Sequence, residues 1–229
     1  MIVLGIDTST WWASVGVAAD GQVRGALIER AESSHATGLL GLVERTLDVA
    51  GVALRQVQGI AVTGGPGSFT GLRVGLSTAK GLAYAIDARL VTVPTLETFA
   101  HTVDDFDGPV APLLDARKGE LYAGLFAVSP TAGCRRLAPD RLASFADVVA
   151  GLPERCLVIG DAEESYAAEL RERVGADVVV RPAGSWRPTG SAAAVLGTAL
   201  LESGAADAGS SAEPCYIRPS EAELNAVST

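Results

Sequence analysis

The first third of the chain alternates short apolar runs with polar turns and then changes to a helical period. The apolar runs predict three strands, at Ile2–Ile6, Ser14–Ala18 and Val23–Glu29. Asp20-Gly21, between the second and third runs, is a strong signal for a hairpin turn. From Thr37 to Ala50 the apolar residues recur at helical spacing, which predicts a helix.

A strand, a glycine-rich loop and a second helix follow. The segment Gly59–Thr63 predicts a strand, and the stretch from Gly64 to Gly75 contains five glycines and one proline. Thr70 is the expected N-cap of a helix that runs to about residue 86. A short strand at Leu90–Val93 is expected after it.

The second half again mixes strands and helices. Strands are predicted at Val110–Leu114, Leu121–Val128 and Cys156–Ile159, and helices at Ser144–Ala150, Glu163–Val174 and Ser191–Glu202. An acidic linker at Asp104–Pro109 suggests a boundary, so we expect lobes over residues 1–103 and 104–205 and a connector and tail over 206–229. The pattern alone predicts an α/β protein with a mixed sheet.

The glycine-rich loop has three physical interpretations. Free backbone N–H groups at a helix start can bind phosphate, small residues can permit close backbone packing, or the loop is only a tight turn. The spacing of Gly67 and Gly71, followed by Arg73, does not match a P-loop. The residues alone favour close packing and leave all three open.

Charge and composition limit the function. The chain of 229 residues has 18 Lys and Arg against 27 Asp and Glu, a net charge of −9, and 5% aromatic residues. A protein that binds tRNA by itself normally presents a basic surface, so we expect none here. The start has no signal-peptide pattern and no apolar run is long enough to span a bilayer, which favours a cytoplasmic protein without membrane contact.

Few residues are suited to metal binding or nucleophilic catalysis. Cys134, Cys156 and Cys215 are scattered and odd in number, as in reduced intracellular proteins. His35 and His101, the two histidines, are far apart in the sequence. We therefore expect no metal site and no peptidase centre.

At the glycine-rich string, Gly65–Ala83, the chain resembles the TsaB (YeaZ) family of tRNA threonylcarbamoyladenosine synthesis. The resemblance covers most of the chain. It includes the segments Ile6–Thr10, Ser34-His35, Leu114–Tyr122 and Pro214–Arg218. It implies an α/β actin-like ATPase (ribonuclease H-like) fold of two lobes with mixed sheets.

The resemblance also implies a degenerate nucleotide cleft at Asp7, Thr8 and Ser9. Ser9 stands where the first phosphate loop of actin-like ATPases usually has a glycine, and Gly160-Asp161-Ala162 stands in place of the second loop. The catalytic paralogue TsaD carries an H-x-x-x-H metal pair, which Thr95 and Phe99 replace here. We expect no cofactor, and residual nucleotide binding stays open.

The expected function is a non-catalytic scaffold that pairs with TsaD. It would support threonylcarbamoyl transfer to the adenosine beside the anticodon of tRNA, contacting the ATPase TsaE and the tRNA only through the complex, and form a homodimer when alone. The alternative is an actin-fold ATPase or sugar-kinase-like enzyme acting on a small molecule. The alternative requires intact phosphate loops and a catalytic carboxylate.

The partner surface is expected on the two helices around Thr37–Ala50 and Gly71–Ala85. Their apolar residues cover more than one face, and small residues of the second helix would let another helix approach. The residues expected at this surface are Leu39, Leu42, Val43, Thr46, Leu72, Gly75, Thr78, Ala79 and Leu82.

Overall fold

A computed structural model describes residues 1–31, 35–204, 212–215 and 217. These residues form two five-stranded mixed sheets with helices packed on their faces. No helix among them is long and apolar enough to cross a membrane.

The first sheet has the strand order β3-β2-β1-β4-β5. Its strands are β1 (Ile2–Asp7), β2 (Trp12–Ala19), β3 (Gln22–Arg30), β4 (Gly59–Gly65) and β5 (Arg89–Pro94). The first three are antiparallel, and β1, β4 and β5 are parallel. The parallel pairings require crossover connections, which helices α1 (His35–Ala50) and α2 (Phe69–Ile86) supply.

The second sheet, β10-β9-β6-β7-β8, repeats this connectivity. Its strands are β6 (Gly108–Asp115), β7 (Glu120–Ser129), β8 (Gly133–Ser144), β9 (Cys156–Ile159) and β10 (Val178–Val180). The remaining helices are α3 (Thr95–Ala100), α4 (Phe145–Ala150), α5 (Ala162–Arg173) and α6 (Thr189–Glu202). The antiparallel and parallel pairs correspond one to one, so β6 and β7 occupy in the second sheet the places of β1 and β2.

The predicted strands and helices all exist, with boundaries that shift by a few residues. The Asp20-Gly21 hairpin turn is confirmed, since both residues have positive φ, 51° and 74°. Ser68, not Thr70, caps α2, because its side chain accepts a hydrogen bond from the Gly71 N–H at 3.2 Å. The sequence analysis missed three elements, β8, β10 and α3. Strand β8 contains Pro139 and lies at a sheet edge, where proline is tolerated, and the other two are short.

Two helices cross between the predicted lobes. Helix α6, which follows the second sheet in sequence, packs on β1, β2 and β4 of the first sheet. Helix α3, which follows the first sheet, packs on β6 and β7 as well as on β4. The division into 1–103 and 104–205 therefore does not follow the packing, because each sheet is covered by a helix from the other half.

Glycines let α6 lie on the backbone of the first sheet. A Cβ added to Gly5 would lie 2.1 Å from the carbonyl oxygen of Gly190, and one added to Gly16 would lie 2.4 Å from the Ser191 nitrogen. Gly190 itself has the β2 backbone at Val15 within 2.6 Å of its missing Cβ. No larger residue fits at these positions, so the close contact of helix and sheet depends on glycine.

The acidic linker and Cys215 are held against the body of the protein. Asp104 and Asp105 pair with Arg187 and Arg181 at 2.5 and 2.8 Å. The Cys215 N–H donates to the Gly64 carbonyl at 2.7 Å. Most of the predicted connector and tail, 206–229, lies outside the described residues.

We predict that Gly5→Ala lowers the free energy of unfolding by at least about 2 kcal/mol, because the new methyl group overlaps the α6 backbone. The measurement is the urea unfolding midpoint. Gly38→Ala is the matched control, since an added Cβ in α1 meets nothing within 4 Å. That control should gain about 0.5–1 kcal/mol from helix propensity. Equal midpoints for both variants would contradict the close contact.

Candidate functional site

Asp7, at the end of β1, is buried and connects four parts of the fold. Its Oδ1 accepts hydrogen bonds from the Ser9 N–H at 3.0 Å and from the Thr63 hydroxyl of β4 at 2.7 Å. Its Oδ2 accepts a hydrogen bond from the Thr189 hydroxyl at the start of α6. Both oxygens are therefore engaged inside the protein, and Asp7 joins β1, the following turn, β4 and α6.

Thr8 and Ser9 pack directly against the glycine-rich loop. The Thr8 hydroxyl donates to the Gly71 carbonyl at 2.8 Å, and the Ser9 carbonyl accepts from the Ser68 N–H at 2.7 Å. A Cβ added to Gly71 would lie 2.0 Å from the Thr8 carbonyl oxygen, and one added to Gly75 would lie 2.2 Å from the Thr8 hydroxyl.

These contacts decide between the three interpretations of the loop. The turn after β1, which in an actin-like ATPase would face phosphate, is in contact with the chain's own loop and helix α2. The glycines permit this approach, which the close-packing interpretation predicts.

The corresponding turn of the second sheet is Asp115–Gly119, between β6 and β7. The prediction that Gly160-Asp161-Ala162 takes the place of the second phosphate loop is therefore wrong in topology. That segment connects β9 to α5, so its counterpart in the first half is the glycine-rich loop between β4 and α2. Local sequence could not reveal this, since the equivalence follows from strand order.

Asp161 is hydrogen-bonded to the first residue of the Asp115–Gly119 turn. Its Oδ1 accepts a hydrogen bond from the Asp115 N–H at 3.0 Å, and Asp115 in turn accepts from the Ser165 hydroxyl and from Arg117. Burial raises the pKa of Asp161 to about 7, and the nearby Asp115 and Glu164 carboxylates add to the increase.

The two turns also contact each other across the lobes. The Arg117 guanidinium lies 5.7 Å from the centre of the Trp11 ring. The Trp12 indole donates to Glu164 Oε1 of α5 at 2.8 Å. The sequence analysis missed Thr189 and Glu164, because each meets its partner more than 150 residues away and no local pattern marks the pairing.

The two positions that replace the metal-binding histidines are both buried. The Thr95 hydroxyl accepts a hydrogen bond from the Gly65 N–H at 3.1 Å, and the Phe99 ring lies 5.3 Å from the Trp186 ring. The described ranges contain no cluster of three or more His, Cys, Asp or Glu residues that could hold a metal ion. Both residues are part of the packing between α3 and its neighbours.

Most residues predicted for the partner surface belong to the protein's own core. The fully buried ones are Leu39, Leu42, Val43, Thr46, Leu72, Gly75 and Ala79. Thr78 and Leu82 are half-buried. The seven fully buried residues cannot form part of a partner surface, because the broad apolar faces of α1 and α2 pack against the first sheet and against each other.

The outer side of α2 nevertheless leaves apolar groups accessible. Tyr84 is 93% exposed and Phe69 40% exposed, and Leu40 of α1 is 61% exposed. A shallow groove of about 490 Å³ runs along α2, lined by Phe69, Thr70, Arg73, Val74, Ser77 and Thr78. Any partner surface on these helices therefore consists of these groove-lining and exposed residues. We call them the outer row of α1 and α2: Leu40, Phe69, Thr70, Arg73, Val74, Ser77, Thr78 and Tyr84.

Two sheets of identical connectivity, with paired turns facing each other, define an actin-like ATPase (ribonuclease H-like) fold. Component A of the (R)-2-hydroxyglutaryl-CoA dehydratase of Acidaminococcus fermentans has this fold in common with the chain, with a TM-score of 0.55 and 11% identity over 88% of this chain and 99% of that one. At that identity the likeness concerns the fold alone. The predicted fold is confirmed.

Sequence comparison identifies the family, within this fold, to which the chain belongs. A family model described as "TsaD: tRNA N6-adenosine threonylcarbamoyltransferase" matches residues 19–178. The Bacillus subtilis (strain 168) tRNA threonylcarbamoyladenosine biosynthesis protein TsaB is 30% identical over 226 residues, covering 97% of this chain and 96% of that protein. The structure of YeaZ from Pseudomonas aeruginosa has a TM-score of 0.77 and 27% identity, covering 94% and 99% of the two chains. The chain belongs to the TsaB (YeaZ) family.

We predict that Asp161 makes the protein less stable as the pH rises from about 4 to 7. The unfolded carboxyl loses its proton near pH 4 and the folded one near pH 7, so the unfolded state binds fewer protons across this window. Asp161→Asn should remove this dependence, which is on the order of 4 kcal/mol, while its amide oxygen still accepts the Asp115 N–H.

Urea unfolding at several pH values measures the effect. Asp177→Asn, at an exposed position of the same half, is the control and should keep the wild-type slope. An unchanged slope in Asp161→Asn would show that Asp161 does not titrate in this range.

Proposed function

We propose that the chain is a non-catalytic subunit of the tRNA threonylcarbamoyladenosine system, which pairs with TsaD and supports threonylcarbamoyl transfer to tRNA. The observation that carries the proposal is the turn at Asp7, Thr8 and Ser9. Both Asp7 oxygens are engaged by protein donors, and the glycine-rich loop packs against Thr8 and Ser9. A phosphate group would have to displace these contacts.

The positions of the missing histidines support the same conclusion. A catalytic metal requires ligands around an open coordination position. Thr95 and Phe99 are instead fully buried, and Thr95 is hydrogen-bonded to the glycine-rich loop. The helix that would present metal ligands in the catalytic paralogue serves packing in this chain.

An ATPase or sugar-kinase-like activity is the weaker candidate. It requires a free carboxylate and accessible phosphate loops in the cleft. Asp7 is 1% exposed and supplies the contacts that hold α6 to the first sheet. The same carboxyl group cannot also coordinate a nucleotide-bound cation without releasing that helix.

The tRNA is proposed to bind through other subunits. A net charge of −9 opposes independent binding to a polyanion, because phosphate neutralisation supplies much of the affinity for nucleic acid. TsaE is likewise proposed to contact this chain within the complex and not as a separate partner.

The partner surface is proposed to be the outer row of α1 and α2. The groove along α2 and the exposed rings of Phe69 and Tyr84 form an apolar area that another helical surface can cover. TsaD would share the fold, so a pseudo-two-fold pairing of equivalent helices is geometrically natural. A homodimer would use the same surface and compete with TsaD.

We predict that the purified chain neither hydrolyses ATP nor transfers threonylcarbamoyl to tRNA, and that it restores transfer when TsaD, TsaE and a threonylcarbamoyl-adenylate source are added. The assays measure ATP turnover and tRNA modification with each component omitted in turn. Transfer by this chain alone, or full transfer in its absence, would contradict the proposal.

We predict that Thr78→Arg abolishes pairing with TsaD while the monomer stays folded. Thr78 lines the groove, and an unpaired charge buried in an apolar interface costs several kcal/mol, roughly a hundredfold or more in affinity. A substitution at Leu42 cannot test this, because Leu42 is 1% exposed and its loss would unfold the protein.

Light scattering and titration calorimetry measure pairing, and circular dichroism checks folding. Ala168→Arg, at an exposed position of α5 in the other half, is the control and should pair normally. Normal pairing by folded Thr78→Arg would show that the surface lies elsewhere.

A further inference from the structure

The two halves of the molecule meet at a joint built around Trp12. The indole N–H of this residue, in the first sheet, donates to Glu164 of helix α5 at 2.8 Å. Its ring lies 6.3 Å from that of Trp186 in an edge contact. On its other side the segment around Gly184 passes so close that an added Cβ would lie 2.4 Å from the ring. Trp12 is therefore enclosed by two parts of the second half, helix α5 and the segment 184–186.

Glu164 holds a second residue of the first sheet. Its other carboxylate oxygen, Oε2, accepts from the Arg30 guanidinium at 3.0 Å. Arg30 ends β3 directly opposite Trp12 in the antiparallel pair. One carboxylate thus bridges both strands of the β2–β3 edge, and both of its oxygens bind groups of the other lobe.

The solvent exposure of Glu164 and Arg30 indicates that the hydrogen bonds of Glu164 can break. Its side chain is 27% exposed and that of Arg30 is 58% exposed, so water can replace either hydrogen bond. An ion pair of this exposure contributes little to the free energy of unfolding. Such a pair does not hold the fold together, yet it suffices to bias an equilibrium between two lobe arrangements.

We propose that the Trp12–Glu164–Arg30 contact is a reversible latch between the lobes. When the latch is formed, it fixes the Trp12 ring in the joint and holds the turn after β1 against the Asp115–Gly119 turn, where Arg117 covers Trp11. When it is released, the two turns separate. This inference does not depend on the proposed function.

The tryptophans supply a direct readout. The chain contains three, Trp11, Trp12 and Trp186, and all three lie at this joint. Tryptophan fluorescence, excited at wavelengths that tyrosine does not absorb, therefore reports on the joint.

The test compares Glu164→Ala with the wild type by acrylamide quenching and by hydrogen exchange. We expect quenching to increase about twofold, and amide exchange to accelerate at residues 8–12 and 115–119 with the sheet cores unchanged. Glu29→Gln is the control, because it removes an ion pair of the same type, to Arg45, within the first half. Arg30→Ala, which removes an exposed partner only, should give a smaller effect of the same sign.

Two results would overturn the latch. Quenching and exchange that stay at wild-type values in both Glu164→Ala and Arg30→Ala would show that packing alone closes the joint. An equal increase in the Glu29→Gln control would show a general loosening. If Glu164→Ala does not fold, Arg30→Ala decides the question by the same two measurements.

Discussion

Helix α6 lies on strands β1 and β2 at a distance that only glycine backbones permit, and the Thr189 hydroxyl at its first turn binds Asp7. Asp7 also binds Thr63 of β4 and the turn after β1. Buried polar groups must be paired, and without this helix the Oδ2 atom of Asp7 would lose its hydrogen-bond donor. Helix α6 thus completes the packing of the first sheet, and the two halves cannot form their packing independently.

This arrangement affects the turn after β1, at residues 7–9. In an actin-like ATPase fold the turns after the first strands face a nucleotide, whereas here the first turn is packed against the glycine-rich loop. The same glycines that could have admitted phosphate instead admit Thr8 and Ser9. The fold is therefore retained while the chain's own loop occupies its first turn, which agrees with one fold serving several functions.

The contact between the halves combines a buried apolar part and a solvent-exposed polar part. Phe99 and Trp186 are buried beside the Trp12 ring, and the Glu164 carboxylate caps that ring from the solvent side. The apolar part supplies the larger share of the free energy, since burial outweighs an exposed ion pair. The polar part sets the geometry, because Trp12 and Arg30 must both point at one carboxylate.

Local sequence predicted the strands and helices because apolar periodicity and turn residues act over a few positions. The Asp20-Gly21 turn and the helix that follows Gly67 are examples, and the glycine-rich string was enough to indicate the family. The edge strand β8 was not predicted, because its proline and arginines interrupt the alternation of apolar and polar residues.

The sequence by itself therefore determined most of the elements, their order and the family. Only the tertiary structure decided that α6 returns to the first sheet, that Asp115–Gly119 is the counterpart of the first turn, and that Leu39, Leu42 and Ala79 face inward. The reason is physical. An amphipathic or broadly apolar helix carries no local mark of which neighbour will cover it, since that depends on residues brought together from more than 100 positions away.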